Sequence, residues 1–381
     1  MDSIYFKEEH SLLRDQVRRF VESEIKPFGE DWEREGMVPR QVLRKMGELG
    51  FFGLRIPEHL GGSGMDVFAM IVLAEELSRS TFGGVSVTVM VHTAMASPHL
   101  VYTGSQEQIR KYLPGILSGE TITAIAVTEP EAGSDVAGIR TRAARDGREW
   151  VLNGSKIFIS NGYYGDLYFV AAKTDVKAKG SRGISIFLVE KGMPGFRVGR
   201  QLEKQGDLCS DTAELFFEDC RLPAENLLGE ENRGFYAIMR NFQNERLSIG
   251  AMATSEAATA LELTIAHVRS RRAFGGPLID KQGIRQRLAM LECKLTAARQ
   301  LLYHAAWLDS VGRDCVGEIS MVKAYCAEVT NEVMYTCQQF HGGTGYMRGI
   351  PIERMVRDAR LHAIGGGATE VMLDEVAKRW H

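Results

Sequence analysis

The spacing of apolar residues changes twice along this 381-residue chain, and that change limits the folds open to it. Up to about residue 120, apolar residues recur near the helical period, as between Leu13 and Ile25, which predicts helices. From about 121 to 228, short β-rich runs are divided by turn residues, which predicts strands. Long helical patterns then return, and residues 235–274 contain no proline. We therefore predict three domains: 1–120, 121–228 and 229–381.

The predicted fold class is α+β. An N-terminal helical domain is followed by a small antiparallel β-barrel or sandwich and by a C-terminal four-helix bundle. The run "GGVSVTVMVHTAMA", residues 83–96, fits either a strand or a buried helix, and its helical neighbours favour a helix. The Asn-Gly pairs at 153–154 and 161–162 predict turns within the β domain.

Composition excludes several classes of function. The net charge of −3 gives no reason to expect nucleic acid or a membrane surface as a partner, and no apolar run is long enough to span a bilayer. Residues 1–10 are polar, so we expect no signal peptide. The six cysteines form no CxxC pair, so neither a disulfide framework nor a zinc site is predicted, and no metal is expected. A reducing, cytoplasmic location fits this pattern.

Two stretches of the β region could contact a flat ligand. "AVTEPEAGSD", residues 126–135, ends a strand and offers hydroxyls at Thr128 and Ser134, although an ordinary acidic turn fits it equally well. "KIFISNG", residues 156–162, places Phe158 and Ser160 two residues apart on a strand. Such a pair offers a stacking surface and a hydrogen bond, but an ordinary strand face has the same pattern.

Two glycine-containing stretches of the third region suit an anion. "RSRRAFGGP", residues 269–277, sets clustered arginines beside glycines, as phosphate sites do, and a solvated helix end is the alternative. "QQFHGGTGY", residues 338–346, offers backbone N–H groups to an anion. It lacks the G-x-G-x-x-G spacing and follows no predicted strand, so a Rossmann site is not supported.

Glu245 interrupts the apolar stripe of the long proline-free helix. A carboxylate on an apolar face is costly unless it is paired or functional, and burial raises its pKa toward that of a proton acceptor. Pairing with Arg246 or Arg240 is the alternative, and Glu256 lies near the same face, so the stripe alone does not single out one residue. The stripe consists of Ile238, Phe242, Ile249 and Met252.

Five stretches together resemble the acyl-CoA dehydrogenase family, in the family's order and approximate spacing, over essentially the whole chain. They are "AVTEPEAGSD", "LNGSKIFISNG", "RRAFGGPLIDKQ", "QQFHGGTGYM" and "ERMVRDAR". The resemblance implies FAD as cofactor, an acyl-CoA thioester as substrate, a homotetramer (a dimer of dimers), and electron-transfer flavoprotein as electron acceptor. It also implies a role in fatty-acid, branched-chain or terpenoid acyl-CoA catabolism.

The resemblance also implies which positions form the site. Phe158 would lie against the flavin where many members have tryptophan, Ser160 would hydrogen-bond its N5, and Arg271 would bind the FAD pyrophosphate across a subunit interface. The implied FAD-binding residues are Ile125, Ala126, Val127, Thr128, Ser134, Phe158, Ile159, Ser160, Arg271, Phe274, Gln282, Gln339, Phe340, His341, Gly342, Gly343, Ala368, Thr369 and Glu370. The implied substrate-binding residues are Ser134, Phe242, Glu245, Arg246, Gly366 and Gly367.

The chain departs from most of the family at Gly366, where an E-G-T-like motif usually carries the catalytic glutamate. Isovaleryl-CoA and long-chain acyl-CoA dehydrogenases instead carry it on the long helix before an arginine, and "NERL" puts Glu245 there. The implied reaction is α,β-dehydrogenation to the trans-2-enoyl-CoA: Glu245 removes the α-proton and flavin N5 accepts the β-hydride. The backbone N–H at Gly366 would polarise the thioester. Alternatives with the same fold are an acyl-CoA or nitroalkane oxidase and a non-catalytic binder of acyl-CoA or acyl-carrier protein.

Overall fold

The computed structural model describes residues 4–178 and 180–380, and its first region is helical, as predicted. The helices are α1 (Glu8–Phe20), α2 (Gly29–Glu35), α3 (Arg40–Glu48), α4 (Val67–Ser78), α5 (Gly83–Met90), α6 (Ser97–Thr103) and α7 (Gln106–Ser118). Asp66 caps α4 by accepting a hydrogen bond from the Phe68 N–H at 2.9 Å. The run 83–96 is helical, because α5 continues into a π-helical turn at Val91–Ala96.

The second region is one eight-stranded sheet. The strands are β1 (Thr123–Ala126), β2 (Arg142–Asp146), β3 (Glu149–Ser160), β4 (Leu167–Lys173), β5 (Ile184–Glu190), β6 (Phe196–Gln201), β7 (Thr212–Pro223) and β8 (Leu227–Leu228). Their order in the sheet is β6-β7-β3-β2-β4-β5-β8, and β1 pairs with β4. The predicted antiparallel pairing holds for most neighbours. However, β4 runs parallel to β1 and meets β2 in parallel at one position.

The two Asn-Gly pairs have different roles. Asn161 and Gly162 follow the end of β3 and form a turn, as predicted. The prediction for residues 153–154 is wrong, because both lie inside β3 at a shift of its register with β7. Gly154 is needed there for close packing: its φ is +146°, and a Cβ would lie 2.7 Å from the Thr141 Cα.

The third region contains three long helices, α8 (Gly234–Ser270), α9 (Gln282–Ser310) and α10 (Val316–His341). Within the described residues of this region, the predicted fourth long helix is replaced by two short ones, α11 (Pro351–Ala359) and α12 (Thr369–Ala377), with the glycines at 365–367 between them. A short hairpin joins α8 to α9, and its two strands, β9 (Arg272–Ala273) and β10 (Gly276–Pro277), have two residues each. Small residues allow close helix packing, since a Cβ on Gly250 would lie 2.6 Å from Val322 Cγ1.

A buried carboxylate ties the three regions together. The two oxygens of Asp358 on α11 accept hydrogen bonds from the backbone N–H of Gly83 at 3.2 Å and of Asp207 at 2.7 Å. Arg354 on the same helix pairs with Glu33 at 3.0 Å. One apolar core is shared by the first and third regions, while a separate core fills the sheet. Within the described ranges, no helix has the length and apolarity needed to cross a bilayer.

Candidate active site

The carboxylate of Glu245 on α8 lies against the bare backbone of Gly366. A Cβ placed on Gly366 would lie 3.0 Å from Glu245 Oε1 and 2.3 Å from Ile249 Cδ1. The φ angles of Gly366 and Gly367 are +66° and +107°, a conformation that favours glycine. The three-glycine segment 365–367 therefore leaves space that the side chain of Glu245 approaches from the long helix.

Glu245 has no pairing partner in the described part of the chain. Its half-buried carboxylate makes no hydrogen bond or ion pair with residues 4–178 or 180–380. The Arg246 guanidinium lies 5.6 Å from the centre of the Phe242 ring, and that of Arg240 lies over Tyr102. Burial raises the pKa of Glu245 to about 7, although the positive charges of Arg246 and Lys323 act to lower it. A carboxyl group with this pKa suits proton transfer near neutral pH.

Glu256, the other acidic candidate on this face, is paired. Its Oε2 lies 2.8 Å from His362 Nε2, and both side chains are buried. Burial alone would lower the pKa of His362, but the adjacent Glu256 carboxylate raises it overall. The neighbouring charge therefore explains why a carboxylate is present at Glu256, whereas no such partner explains Glu245.

Lys323 on α10 contacts the glycine segment that lies against Glu245, and it was not among the residues predicted from the sequence. It is fully buried, and its Nζ donates hydrogen bonds to the carbonyl oxygens of Gly367 at 2.7 Å and His362 at 2.5 Å. Burial lowers its pKa to about 8. The available signal was the same as for Glu245, a charged residue inside an apolar run, "ISMVKAYC".

The loop after β1 is held against β3 by a buried ion pair. Lys156 Nζ lies 2.7 Å from Glu129 Oε1 and donates to the Val127 carbonyl at 2.9 Å. The Ile157 N–H donates to the Thr128 carbonyl at 3.0 Å. The half-buried Thr128 is thereby fixed beside the strand that carries Phe158.

Phe158 sits at an irregularity of β3. The register with β7 shifts between Lys156 and Ile159, and the φ of Phe158 is +59°. The shift breaks the alternation assumed from the sequence, so Lys156 is buried while Phe158 is 65% exposed. An exposed aromatic ring beside the fixed loop and the half-buried Ser160 offers a surface for a flat ligand.

A second group of predicted site residues lies at the far end of α8. Arg271 follows the helix directly, and Phe274 in the hairpin is 91% exposed with a φ of +51°. His341 stacks on His267 with ring centres 4.2 Å apart, which brings the end of α10 to the end of α8. Glu245 and Arg271 are 26 positions apart, or about 39 Å along a helix that rises about 1.5 Å per residue.

The other predicted residues differ in how far they are buried. The exposed ones are Ser134, Gln282, Gln339, Gly342, Gly343 and Glu370. The half-buried ones are Ile125, Phe340, Ala368 and Thr369. Ala126, Val127 and Ile159 are buried. Ala368 caps α12, so it and Thr369 continue directly from the glycine segment.

A cavity of about 350 Å³ reaches the residue next to Glu245. Its walls come from the segment between α3 and α4, from α4, the turn Val91–Ala96, α6 and α7, and from α8, and they are mostly apolar. Asn244 forms part of the wall, and its Oδ1 accepts a hydrogen bond from Arg55 Nη1 at 2.6 Å. Sequence reasoning missed this cavity because its lining is drawn from segments far apart in the chain. Lining residues include Phe51, Leu54, Met70, Leu73, Ala94 and Ile109.

Comparison with known proteins gives a consistent assignment. Family models described as the N-terminal, middle and C-terminal domains of acyl-CoA dehydrogenase match residues 7–120, 124–220 and 232–381. The mitochondrial long-chain specific acyl-CoA dehydrogenase of Mus musculus is 42% identical, over 98% of this chain and 87% of that protein.

Two solved structures agree with this assignment. The acyl-CoA dehydrogenase of Geobacillus kaustophilus is 40% identical, with a TM-score of 0.96 over 99% of both chains. A chain from a structure of the electron transferring flavoprotein of Acidaminococcus fermentans is 37% identical, with a TM-score of 0.95 over 99% of both chains. The predicted resemblance and fold are thereby confirmed, and the chain belongs to the acyl-CoA dehydrogenase family of FAD-dependent oxidoreductases.

Proposed function

We propose that Glu245 is the base that removes the α-proton in flavin-dependent dehydrogenation of an acyl-CoA. The observation that carries the proposal is the unpaired carboxylate beside Gly366, whose pKa burial raises to about 7. A base that is partly ionised near neutral pH combines availability with proton affinity, as general base catalysis requires. Its position before Arg246 on the long helix agrees with the sequence pattern that first indicated it.

Gly366 offers a donor for the thioester oxygen. Its backbone N–H makes no hydrogen bond within the described residues, so it is free to meet the oxygen on which negative charge develops as the α-proton leaves. A side chain at this position would overlap with Ile249. Gly366 would therefore have two roles. It leaves room for the side chain of Glu245, and it exposes a backbone N–H to the substrate.

The residues around β3 fit a flavin ring. Phe158 offers an exposed aromatic face, Ser160 a hydroxyl, and the Thr128 loop is fixed beside them. These residues would hold the ring of FAD, which when bound supplies the acceptor for the β-hydrogen as hydride. The protein's own contribution is to orient the ring and to keep water from the base.

We infer that the cavity beside Asn244 takes the acyl chain. Its apolar walls and its closeness to the base along α8 favour this use. Its size does not select between straight, branched or terpenoid chains, and substrates of fatty-acid and other lipid metabolism are the candidates. A panel of acyl-CoAs of increasing length and branching is therefore part of the test below.

Assembly as a homotetramer, a dimer of dimers, stays a proposal, and the separation of the two site groups supports it. The Arg271 group lies about 39 Å along α8 from Glu245, too far for one chain to bring both groups to the same part of a ligand. A second copy would supply the Arg271 group. Exposed aromatics near this end, Phe274 and Tyr346, are typical of a surface that is covered by another chain.

The electron acceptor and the cellular location stay proposals. We propose electron-transfer flavoprotein as the electron acceptor, because a structural relative comes from a structure of such a flavoprotein. The cytoplasmic location stays a prediction from the cysteines, all six of which are free of disulfides.

The test is anaerobic reduction of the flavin by the acyl-CoA panel. We expect a yellow protein that bleaches with at least one acyl-CoA, and a Glu245→Gln variant that keeps its flavin but does not bleach. Glu262→Gln, an exposed carboxylate on the same helix, is the matched control and should bleach normally. Full activity of Glu245→Gln would overturn the assignment of the base.

The same preparation tests the alternatives. Rapid reoxidation by oxygen with release of peroxide would indicate an oxidase. A colourless protein that binds acyl-CoA or acyl-carrier protein would indicate a binder.

A further inference from the structure

Lys323 is a buried lysine that contacts the glycine segment 365–367. An ammonium group has three donors, and two of them are used on carbonyl oxygens: that of His362, before the three glycines, and that of Gly367, the last of the three. Its side chain is fully buried, at 0% exposure. Burying a lysine is costly, so its presence in an otherwise apolar part of α10 calls for an explanation beyond packing.

The glycine segment has few other attachments. The N–H groups of Ile364 and Gly365 bond to the Leu361 carbonyl within the preceding turn. Thr369 adds longer contacts, to the Ala363 carbonyl at 3.5 Å and to Glu328 at 3.3 Å. Within residues 4–178 and 180–380, the backbone of Gly366 itself has no hydrogen bond. The position of its N–H therefore depends on Lys323, which holds the carbonyl of the next residue.

Several charged groups surround this point. The positive charge of Arg246 on α8 lowers the pKa of both Glu245 and Lys323. The negative charge of Glu375 on α12 acts to raise the pKa of Arg246. Glu328 lies on the same helix as Lys323, while the pair of Glu256 with His362 lies on the other side of the segment. Against this background, the positive charge of Lys323 lowers the pKa of Glu245 and so opposes the effect of burial.

We propose that Lys323 is a positioning residue for the proposed base, holding through two carbonyls the glycine segment that lies against Glu245, and supplying a positive charge to the surroundings of that carboxylate. The catalytic part of this inference rests on the proposed function, whereas the structural part does not. A carboxylate that must be ionised inside an apolar site needs a compensating charge. A direct ion pair would hold Glu245 away from the substrate. Among the described residues Lys323 forms no ion pair with Glu245, and its hydrogen bonds go to the two carbonyls.

Three variants separate the two roles. Lys323→Met removes the charge and the donors, Lys323→Gln removes the charge but keeps an amide donor, and Lys323→Arg keeps the charge. The matched control is Lys204→Met. Lys204 also donates to two backbone carbonyls, those of Asp207 and Ser210, and its pKa is also lowered by burial. It has no interaction with Glu245 within the described residues.

The first readout is the pH profile of kcat/KM for flavin-containing enzyme. Loss of an adjacent opposite charge shifts a carboxyl pKa by about one unit or more. We expect the apparent pKa of the base to rise by about one unit in Lys323→Met and Lys323→Gln. This shift would lower kcat/KM about five-fold at pH 7, with the rates converging above about pH 9. Lys323→Arg keeps the charge, so its kcat/KM profile should lie close to that of the wild type. Lys204→Met should keep the wild-type profile.

Two measurements do not depend on turnover. Infrared difference titration, with the spectrum of Glu245→Gln subtracted, reports the protonation of Glu245 directly. Hydrogen–deuterium exchange of a peptide covering 362–368 reports the order of the glycine segment, and we expect faster exchange in Lys323→Met than in Lys204→Met. If no acyl-CoA reduces the wild-type flavin, the proposed function fails, but these measurements still test the role of Lys323.

Two results would overturn the inference. One is an unchanged titration of Glu245 in both Lys323→Gln and Lys323→Met. The other is exchange of residues 362–368 in Lys323→Met that matches Lys204→Met. If Lys323→Met does not fold, Lys323→Gln alone decides the electrostatic role, because it keeps a hydrogen-bond donor at the carbonyls.

Discussion

Glu245→Gln should make the protein more stable at alkaline pH. Burial raises the pKa of Glu245 from 4.5 to about 7. Between these values the folded state binds the proton more tightly than the unfolded state does, so its stability falls as the pH rises. The stabilising contribution of the protonated Glu245 side chain is fully present below about pH 4.5 and is lost once the pH passes about 7. A difference of about 2.5 units, at 1.36 kcal/mol per unit, makes the charged form cost about 3 kcal/mol.

Glutamine keeps the shape of the side chain and cannot ionise. We therefore expect Glu245→Gln to exceed the wild type in free energy of unfolding by up to about 3 kcal/mol at pH 8, and by less than about 1 kcal/mol at pH 5. In a domain of the size of the third region, a gain of about 3 kcal/mol corresponds to a rise of several degrees in the unfolding midpoint. Scanning calorimetry of both proteins with flavin bound, at pH 5 and pH 8, measures the difference.

Glu256→Gln is the control on the same helix. Glu256 accepts from His362 at 2.8 Å, so this variant weakens a buried charged pair and should lower the midpoint at both pH values. A midpoint of Glu245→Gln at or below that of the wild type at pH 8 would refute the reasoning. It would mean that the carboxylate is solvated or paired in the folded protein.

Two further substitutions test the surroundings of the base. Gly366→Ala forces a left-handed alanine, at a cost of about 1–2 kcal/mol, and brings its Cβ within 2.3 Å of Ile249 Cδ1. Its unfolding midpoint should fall, and adding Ile249→Val, which removes that methyl group, should recover part of the loss; no recovery would show that the overlap is not the cause. Ala94→Leu narrows the cavity and should lower kcat/KM for long acyl-CoAs more than for short ones, and an equal loss at every length would contradict its use by the acyl chain.

Much of the fold could be predicted because its signals are local. Most helices of the first region, the long helix α8 and the β-rich character of residues 121–228 follow from apolar spacing within single segments. β2 and β6 were missed because they carry no apolar run: β2 is mostly exposed and β6 is mostly half-buried. The parallel pairing of β1 with β4 joins residues more than 40 positions apart, which no local pattern encodes.

The Asn-Gly pair at 153–154 shows how a local signal can mislead. The dipeptide is typical of a turn, but here the glycine is required by the approach of Thr141, on a neighbouring segment. The same limit applies to the site. Glu245 became a candidate because an acidic residue interrupts its own helix face and because the family resemblance points to the same position. The contacts of Lys323 and the cavity beside Asn244 appear only once distant segments have packed.

The placement of Asp358 has a consequence for how the protein is made. A ribosome adds this residue 275 positions after Gly83 and 151 positions after Asp207, the two backbone groups that it joins. Until α11 has been synthesised, both N–H groups lack the acceptor that they have in the finished protein. The earlier regions of a nascent chain therefore cannot reach their final arrangement alone, and a truncation before α11 should leave them dependent on chaperones.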